Sequence, residues 1–226
     1  MSLATGTVAE RVATLRERVD EVTVASGRES GSVAILAVTK SQPRVAVLAA
    51  LDAGVRDVGE NYVQEARDKY EHLPPCTTHF VGHVQTNKAK AIAARFDVVQ
   101  SVDRLEAGRA LAQAARDVGR RLRVLVQVNV SPTERFGASP ADAPGLAARL
   151  RDLGLAVDGV MAIGPQEGDV DAAFETARAT FERVGGTTLS LGMSADWERA
   201  VRHGSTMVRL GSAIFGPRPV RERSLA

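Results

Sequence analysis

Lys40 ends the apolar run Val33-Ala34-Ile35-Leu36-Ala37-Val38-Thr39, and Ser41-Gln42-Pro43 follows as a helix-start signal. A lysine at the carboxyl end of a buried strand lies where α/β folds place their chemistry. Its amine is the side chain that forms a Schiff base with a carbonyl compound. The chain has 29 Lys+Arg, yet lysine occurs only at Lys40, Lys69, Lys88 and Lys90. Arginine, which carries the positive charge elsewhere, can neither be deprotonated nor act as a nucleophile. The plainer alternative is a lysine that closes the strand and snorkels to water. Near the other end of the chain two short runs could hold an anion. In Leu191-Gly192-Met193-Ser194, Gly192 lets backbone approach a ligand, and Ser194 either donates to a phosphate oxygen or simply caps the segment 195–203. In Arg209-Leu210-Gly211-Ser212, the amides of Gly211 and Ser212 suit an anion. A buried Arg209 beside them needs an acceptor, either a ligand atom, a carboxylate or an internal salt bridge.

These residues need elements to position them. Val8, Val12, Leu15, Val19 and Val22 mark an amphipathic N-terminal helix. Short apolar strands are then expected at 33–39, 56–58, 78–81, 97–100, 122–129, 156–161, 187–190 and 206–209. Several show little alternation, as strands buried on both faces do. Between them lie helix signals: Pro43 for a first turn and Gly54 for its end, an Asp103/Glu106 capping box with Gly119 as the stop, and Asp169 before Phe174, Phe181 and Val184 with Gly185 closing. Strands alternating with helices without a linker predict a single α/β domain over 1–226, a (β/α)8 TIM barrel with an extra N-terminal helix. An open doubly wound sheet is the runner-up. Residues 217–226 read as a loose tail.

Composition narrows the function. A hydrophobic content of 44% and 25% charged residues are those of an ordinary globular protein. A net charge of +2 without a run of like charges argues against nucleic acid, as does 4% aromatic content. The single Cys76 excludes an intramolecular disulfide and a cysteine-based zinc site. No apolar leader and no long apolar run are present, so neither a signal peptide nor a membrane span is expected, and the cytoplasm follows. No long apolar stripe is left over once the barrel is built, so a monomer is expected.

A lysine after the first strand and an anion cradle after the last two frame a phosphorylated aldehyde. Pyridoxal 5′-phosphate fits, with its carbon on Lys40 and its phosphate at Ser194, Gly211 and Ser212. The stretches AVTKSQP (37–43), DVGENYVQEARDK (57–69), HFVGHVQTNK (79–88), VQSVDR (99–104), VQVNVS (126–131), LSLGMSADWERAV (189–201) and GSTMVRLGSAIFGPR (204–218) together resemble the pyridoxal-phosphate homeostasis protein family, single-domain relatives of the N-terminal barrel of alanine racemase. The resemblance implies a (β/α)8 barrel, the cofactor as an aldimine on Lys40, and a role in buffering or delivering it, with effects on amino-acid and keto-acid balance and with apo-enzymes as partners. It implies no established turnover. By the same resemblance Arg209 faces the cofactor's ring nitrogen, Ser194, Gly211 and Ser212 hold the phosphate, and Asn61 lies near the cofactor.

Other polar residues read more plainly. Glu60 suits a helix-start loop, His79 a packed core, and His83 is isolated from carboxylates in sequence. After Ser131, relatives usually carry an acidic residue and then a lysine two positions before a glycine. Here Arg135 stands in a run that is a residue shorter. The spacing is similar to the Arg-x-Gly of alanine racemase, whose arginine lies near the cofactor's phenolic oxygen, and a surface arginine is the alternative. A cationic Arg209 at the ring nitrogen opposes its protonation, and the only tyrosines are Tyr62 and Tyr70, so efficient racemisation is not expected. The rivals are a racemase-like enzyme of low activity and an aldolase using Lys40 on a sugar carbonyl.

Overall fold

The computed structural model describes residues 6–133 and 135–217, so most of the expected tail lies outside the described residues. Eight parallel strands close into a barrel in chain order. They are β1 Ala34–Val38, β2 Asp57–Glu60, β3 Thr77–Phe80, β4 Val98–Val102, β5 Arg123–Val128, β6 Ala156–Ala162, β7 Thr188–Ser190 and β8 Met207–Leu210. β8 pairs back onto β1, with Ala34 opposite Met207 and Leu36 opposite Arg209. Closure leaves no open sheet edge, which excludes the doubly wound alternative.

A helix follows each strand: α2 Arg44–Asp52, α3 Val63–Lys69, α4 Ala89–Arg95, α5 Leu105–Asp117, α6 Ala143–Asp152, α7 Val170–Val184, α8 Trp197–Arg202 and α9 Ser212–Phe215. Before them comes α1 Val8–Ala25, opened by a capping box in which Thr7 and Glu10 bond each other's backbone. Val12, Leu15, Val19 and Val22 of α1 are buried and pack with Ile35, Ala37, Val208 and Leu210 across the β1–β8 seam. Because strand side chains alternate, Leu36 and Arg209 point into the barrel instead.

Some caps differ from expectation. Asp169 does cap α7, accepting from the amides of Asp171 and Ala172, and Gly185 ends that helix at φ +75°. Asp103 does not cap α5. Arg104 takes that position in an extended conformation, and its guanidinium binds Asp103 at 2.7 Å and the Val84 carbonyl at 2.9 Å. Pro43 stands just before α2 rather than in its first turn. Strands β2 and β4 run on to Glu60 and Val102, which draws Glu60, Gln100 and Ser101 into the interior, all at most 1% exposed.

Candidate functional site

At the carboxyl ends of the strands a cavity of about 340 Å³ is lined by Lys40, Asn61, Ser194, Arg209, Gly211 and Ser212, among others. All six candidates meet there, although they come from the loops after β1, β2, β7 and β8 and from β8 itself. A barrel builds such convergence because successive strand ends ring one mouth.

Lys40 is half-buried and follows the buried Thr39. Ser41 next to it has φ +61°, in the left-handed region that a side chain disfavours by roughly 1–2 kcal/mol. Its amide donates to Glu65 Oε2 at 2.8 Å, which helps to hold the turn. Beneath the turn lies a buried ion pair. Lys69 Nζ donates to Glu60 Oε2 at 2.7 Å, to Glu65 Oε2 at 3.0 Å and to the Thr39 carbonyl at 2.8 Å. Glu60, at 0% exposure, also accepts from the Thr39 hydroxyl and from the amides of Asn61 and Tyr62. The helix-start role read for Glu60 is not what the structure shows: Glu60 is the buried last residue of β2, and α3 has no side-chain cap. The chain segments on both sides of Lys40 are tied to one network of fixed charges.

Asn61 is placed by a close backbone approach. A Cβ at Gly82 would sit 2.0 Å from the Asn61 carbonyl oxygen, so only glycine lets the loop after β3 lie against it. The side-chain Oδ1 of Asn61 is buried without a hydrogen-bond partner among the described residues, which leaves it open to a donor from a ligand or a water. Ser194 is not a cap of α8, whose N-cap position is taken by Asp196. Gly192 turns the chain at φ +88°, where a Cβ would lie 2.7 Å from the Cβ of Ala200. Ser194 Oγ instead accepts from the Ala213 amide at 3.4 Å, at the first turn of α9. Hydroxyl and helix-start amides thus gather at one point, a setting for an anion.

Arg209 is 5% exposed. Its guanidinium donates to the Ser190 carbonyl at 2.7 Å, the Ser190 hydroxyl at 2.9 Å and the Ala162 carbonyl at 2.8 Å. Among the described residues no carboxylate pairs with it, so the internal salt bridge is absent. Burial lowers its pKa to about 10, against a smaller upward pull from Asp196, so it remains a cation at neutral pH.

Arg135 is not in this cavity. It lines a neighbouring hollow of about 790 Å³ with Phe136, Gln127 and Asn129, which shares Ile163 with the Lys40 cavity. His83 is less isolated than its sequence neighbours suggest: Nδ1 lies 3.8 Å from Asp103 Oδ2, and the ring stacks on Phe136 at 3.9 Å. His79 is a core residue, 3% exposed, but it is bonded on both sides, by Asp57 and Gln100. Cys76 is half-buried, and burial with the nearby Asp97 and Asp57 pushes its thiol pKa up. Lys69 and Tyr70 support the site through Thr39 and Glu60, a role that their sequence context does not reveal. The lysine scarcity that singles out Lys40 applies equally to Lys69.

The family model for the N-terminal domain of alanine racemase matches residues 5–219. A Pseudomonas aeruginosa protein named pyridoxal phosphate homeostasis protein is 41% identical, over 94% of this chain and 96% of the relative. An Escherichia coli protein of the same name is 37% identical, over 93% and 97%. Among solved structures, Synechococcus elongatus PipY with PLP bound superposes with a TM-score of 0.81 at 33% identity, covering 93% of this chain and all of that one.

Proposed function

The chain belongs to the alanine racemase N-terminal domain family, among its pyridoxal phosphate homeostasis proteins, and on that premise we propose that it binds pyridoxal 5′-phosphate in the Lys40 cavity and serves cofactor homeostasis. Lys40 holds the cofactor reversibly, its amine condensing with the aldehyde to an imine and releasing water. Ser194 with the amides of Gly211 and Ser212 receives the phosphate, Arg209 faces the ring nitrogen, and Asn61 lies alongside. The protein acts as a monomeric cytoplasmic barrel that buffers the cofactor or delivers it to apo-enzymes, with effects on amino-acid and keto-acid balance.

The observation that carries this reading is the convergence of the six residues on one cavity. Its volume of about 340 Å³ is within the range of small-molecule sites, roughly 300–1,000 Å³. The chemistry of the lining also fits. A nucleophilic amine, an anion cradle and a buried cation with no carboxylate partner among the described residues match an aldehyde, a phosphate and an unprotonated pyridine nitrogen. When bound, the cofactor supplies an electron sink for carbanions, which works best with that nitrogen protonated. A cationic Arg209 opposes this protonation.

The tyrosines do not supply an obvious base. Tyr70 is tied to the Thr39 hydroxyl at 2.8 Å, and burial raises its pKa well above 10. Tyr62 is 58% exposed at the start of α3. Storage and release are therefore favoured over turnover.

The test compares wild-type protein with Lys40→Ala after incubation with pyridoxal phosphate, by visible spectrum and by mass after borohydride reduction. A yellow wild type with the reduced adduct on Lys40, and a colourless variant, is expected. Wild-type protein that takes up no cofactor overturns the proposal. Racemisation of alanine or serine at ordinary enzyme rates, about 1–10³ s⁻¹, would replace storage by catalysis.

A further inference from the structure

One polar line runs through the barrel interior from its amino-terminal end to Arg209. At the lower end His79 Nε2 donates to Asp57 Oδ1 at 3.0 Å. Gln100 Nε2 donates to His79 Nδ1 at 2.9 Å. The Ser190 hydroxyl donates to Gln100 Oε1 at 2.8 Å, and Arg209 donates to that hydroxyl at 2.9 Å. His79, Gln100 and Ser190 are each at most 3% exposed.

The direction of the line is dictated by its lower end. A carboxylate at Asp57 accepts from His79 Nε2, and the ring tautomer with its proton there leaves Nδ1 as an acceptor. That acceptor turns the amide nitrogen of Gln100 toward it and leaves Oε1 facing Ser190. The single Ser190 proton is then committed to Gln100, and the hydroxyl lone pairs are left for Arg209. Reversing one member alone would oppose two donors or two acceptors among His79, Gln100 and Ser190, each at most 3% exposed, where an unmade hydrogen bond is costly.

We propose that Asp57, His79, Gln100 and Ser190 form a through-barrel positioning chain that fixes the Arg209 guanidinium against the ring nitrogen of the bound cofactor. The inference rests on the cofactor reading above and extends it: the cofactor's electronic state depends on residues that never touch it. His79 and Gln100 are positioning residues, not catalytic ones. Arg209 keeps its carbonyl acceptors when the line is cut, but it loses the oriented hydroxyl and gains freedom to rotate away from the ring.

The experiment uses full-length His79→Leu, His79→Gln, Gln100→Leu and Ser190→Ala, each checked for folding by its melting transition. Binding of pyridoxal phosphate and of its 1-deaza analogue, which has carbon in place of the ring nitrogen, is measured with the visible spectrum of each complex. His79→Leu, Gln100→Leu and Ser190→Ala are expected to raise Kd for pyridoxal phosphate about fivefold and to shift its visible band, as loss of one oriented buried hydrogen bond would. The analogue, which offers Arg209 no nitrogen, should bind these proteins and wild type within about twofold. His79→Gln keeps an acceptor toward Gln100 and a donor toward Asp57, and should restore both Kd and band position.

Equal loss for cofactor and analogue would reduce the line to packing and overturn the inference, as would unchanged Kd and spectrum in the variants that fold. Should one leucine variant fail to fold, Ser190→Ala cuts the same line with little change of volume. A wild type that binds neither compound would instead remove the cofactor reading itself.

Discussion

Removing the amine of Lys69 gives the sharpest test of how the Lys40 turn is held. In Lys69→Met the stem volume is largely kept, but Glu60 loses the cation 2.7 Å away. Lys69 is 8% exposed and Glu60 0%, so water cannot replace the lost partner. Breaking a buried pair from one side destabilises by about 3–5 kcal/mol. For a domain of this length each kcal/mol lowers Tm by roughly 2–4 °C, so a fall of roughly 6–20 °C is expected.

The double variant Glu60→Gln/Lys69→Met removes both charges. The new side-chain amide at position 60 would still accept, through its oxygen, from the Asn61 and Tyr62 amides, and its nitrogen would donate to the Thr39 hydroxyl. Replacement of a whole buried pair is often near neutral, so the double variant should return to within about 2 kcal/mol of wild type. Urea unfolding of wild type, both single variants and the double gives the coupling directly. A loss under about 1 kcal/mol in Lys69→Met, or a double variant as unstable as the sum of the singles, would refute the claim that this pair supports the turn.

Gly82→Ala should be among the most disruptive single-methyl additions, because its Cβ would lie 2.0 Å from the Asn61 carbonyl oxygen. A loss of about 1–3 kcal/mol in urea unfolding is expected, with weaker cofactor uptake; unchanged stability would contradict the close approach. At the α7–α8 contact Arg199 and His203 bind Asp171, and the Arg199 hydrogen bond, the largest cause, takes the Asp171 pKa from 3.8 down to about 2. Its contribution is thus complete above pH 3.8 and lost as pH falls through about 2. Asp171→Asn should therefore flatten part of the acid limb of Tm against pH in that window, and an unaltered limb would count against the pairing. Ser194→Ala should raise the cofactor Kd about tenfold, by loss of one charge-assisted hydrogen bond, while binding of pyridoxal without its phosphate stays level; equal effects on both would remove Ser194 from the phosphate site.

Much of the barrel was legible because strands buried on both faces are nearly continuous apolar runs, and β4 is buried at every position. The positions of Lys40 and Gly192 could be read for the same reason: chemistry follows strand ends, and strand ends follow apolar runs. What escaped was contact across the fold. Glu60 and Lys69 show no pairing signal in sequence, because it is the end of β2 and the end of α3 that bring them together. His83 and Asp103 meet only where the ends of β3 and β4 lie side by side. Gln100 and Ser190 sit in apolar-looking strands, and nothing local tells that their side chains share an interior acceptor and donor. The cap read at Asp103 is not made, because Arg104 holds its carboxylate, and of the two roles open to Ser194 the cap is excluded by its contact with the start of α9.

The seam where β8 closes onto β1 has a consequence for how the protein is made. Lys40 and Arg209 stand near opposite ends of the chain, yet Leu36 and Arg209 are register partners across that seam. During synthesis Lys40 emerges well before Gly211 and Ser212, the residues proposed to receive the phosphate. Long-range pairing of this kind is slow, because the loop must close before any contact rewards it. A nascent chain that stops before β8 presents Lys40 without Gly211, Ser212 or a closed ring. On the proposed site, cofactor capture consequently requires the closed barrel, and a bound cofactor would pull the last closure forward by mass action.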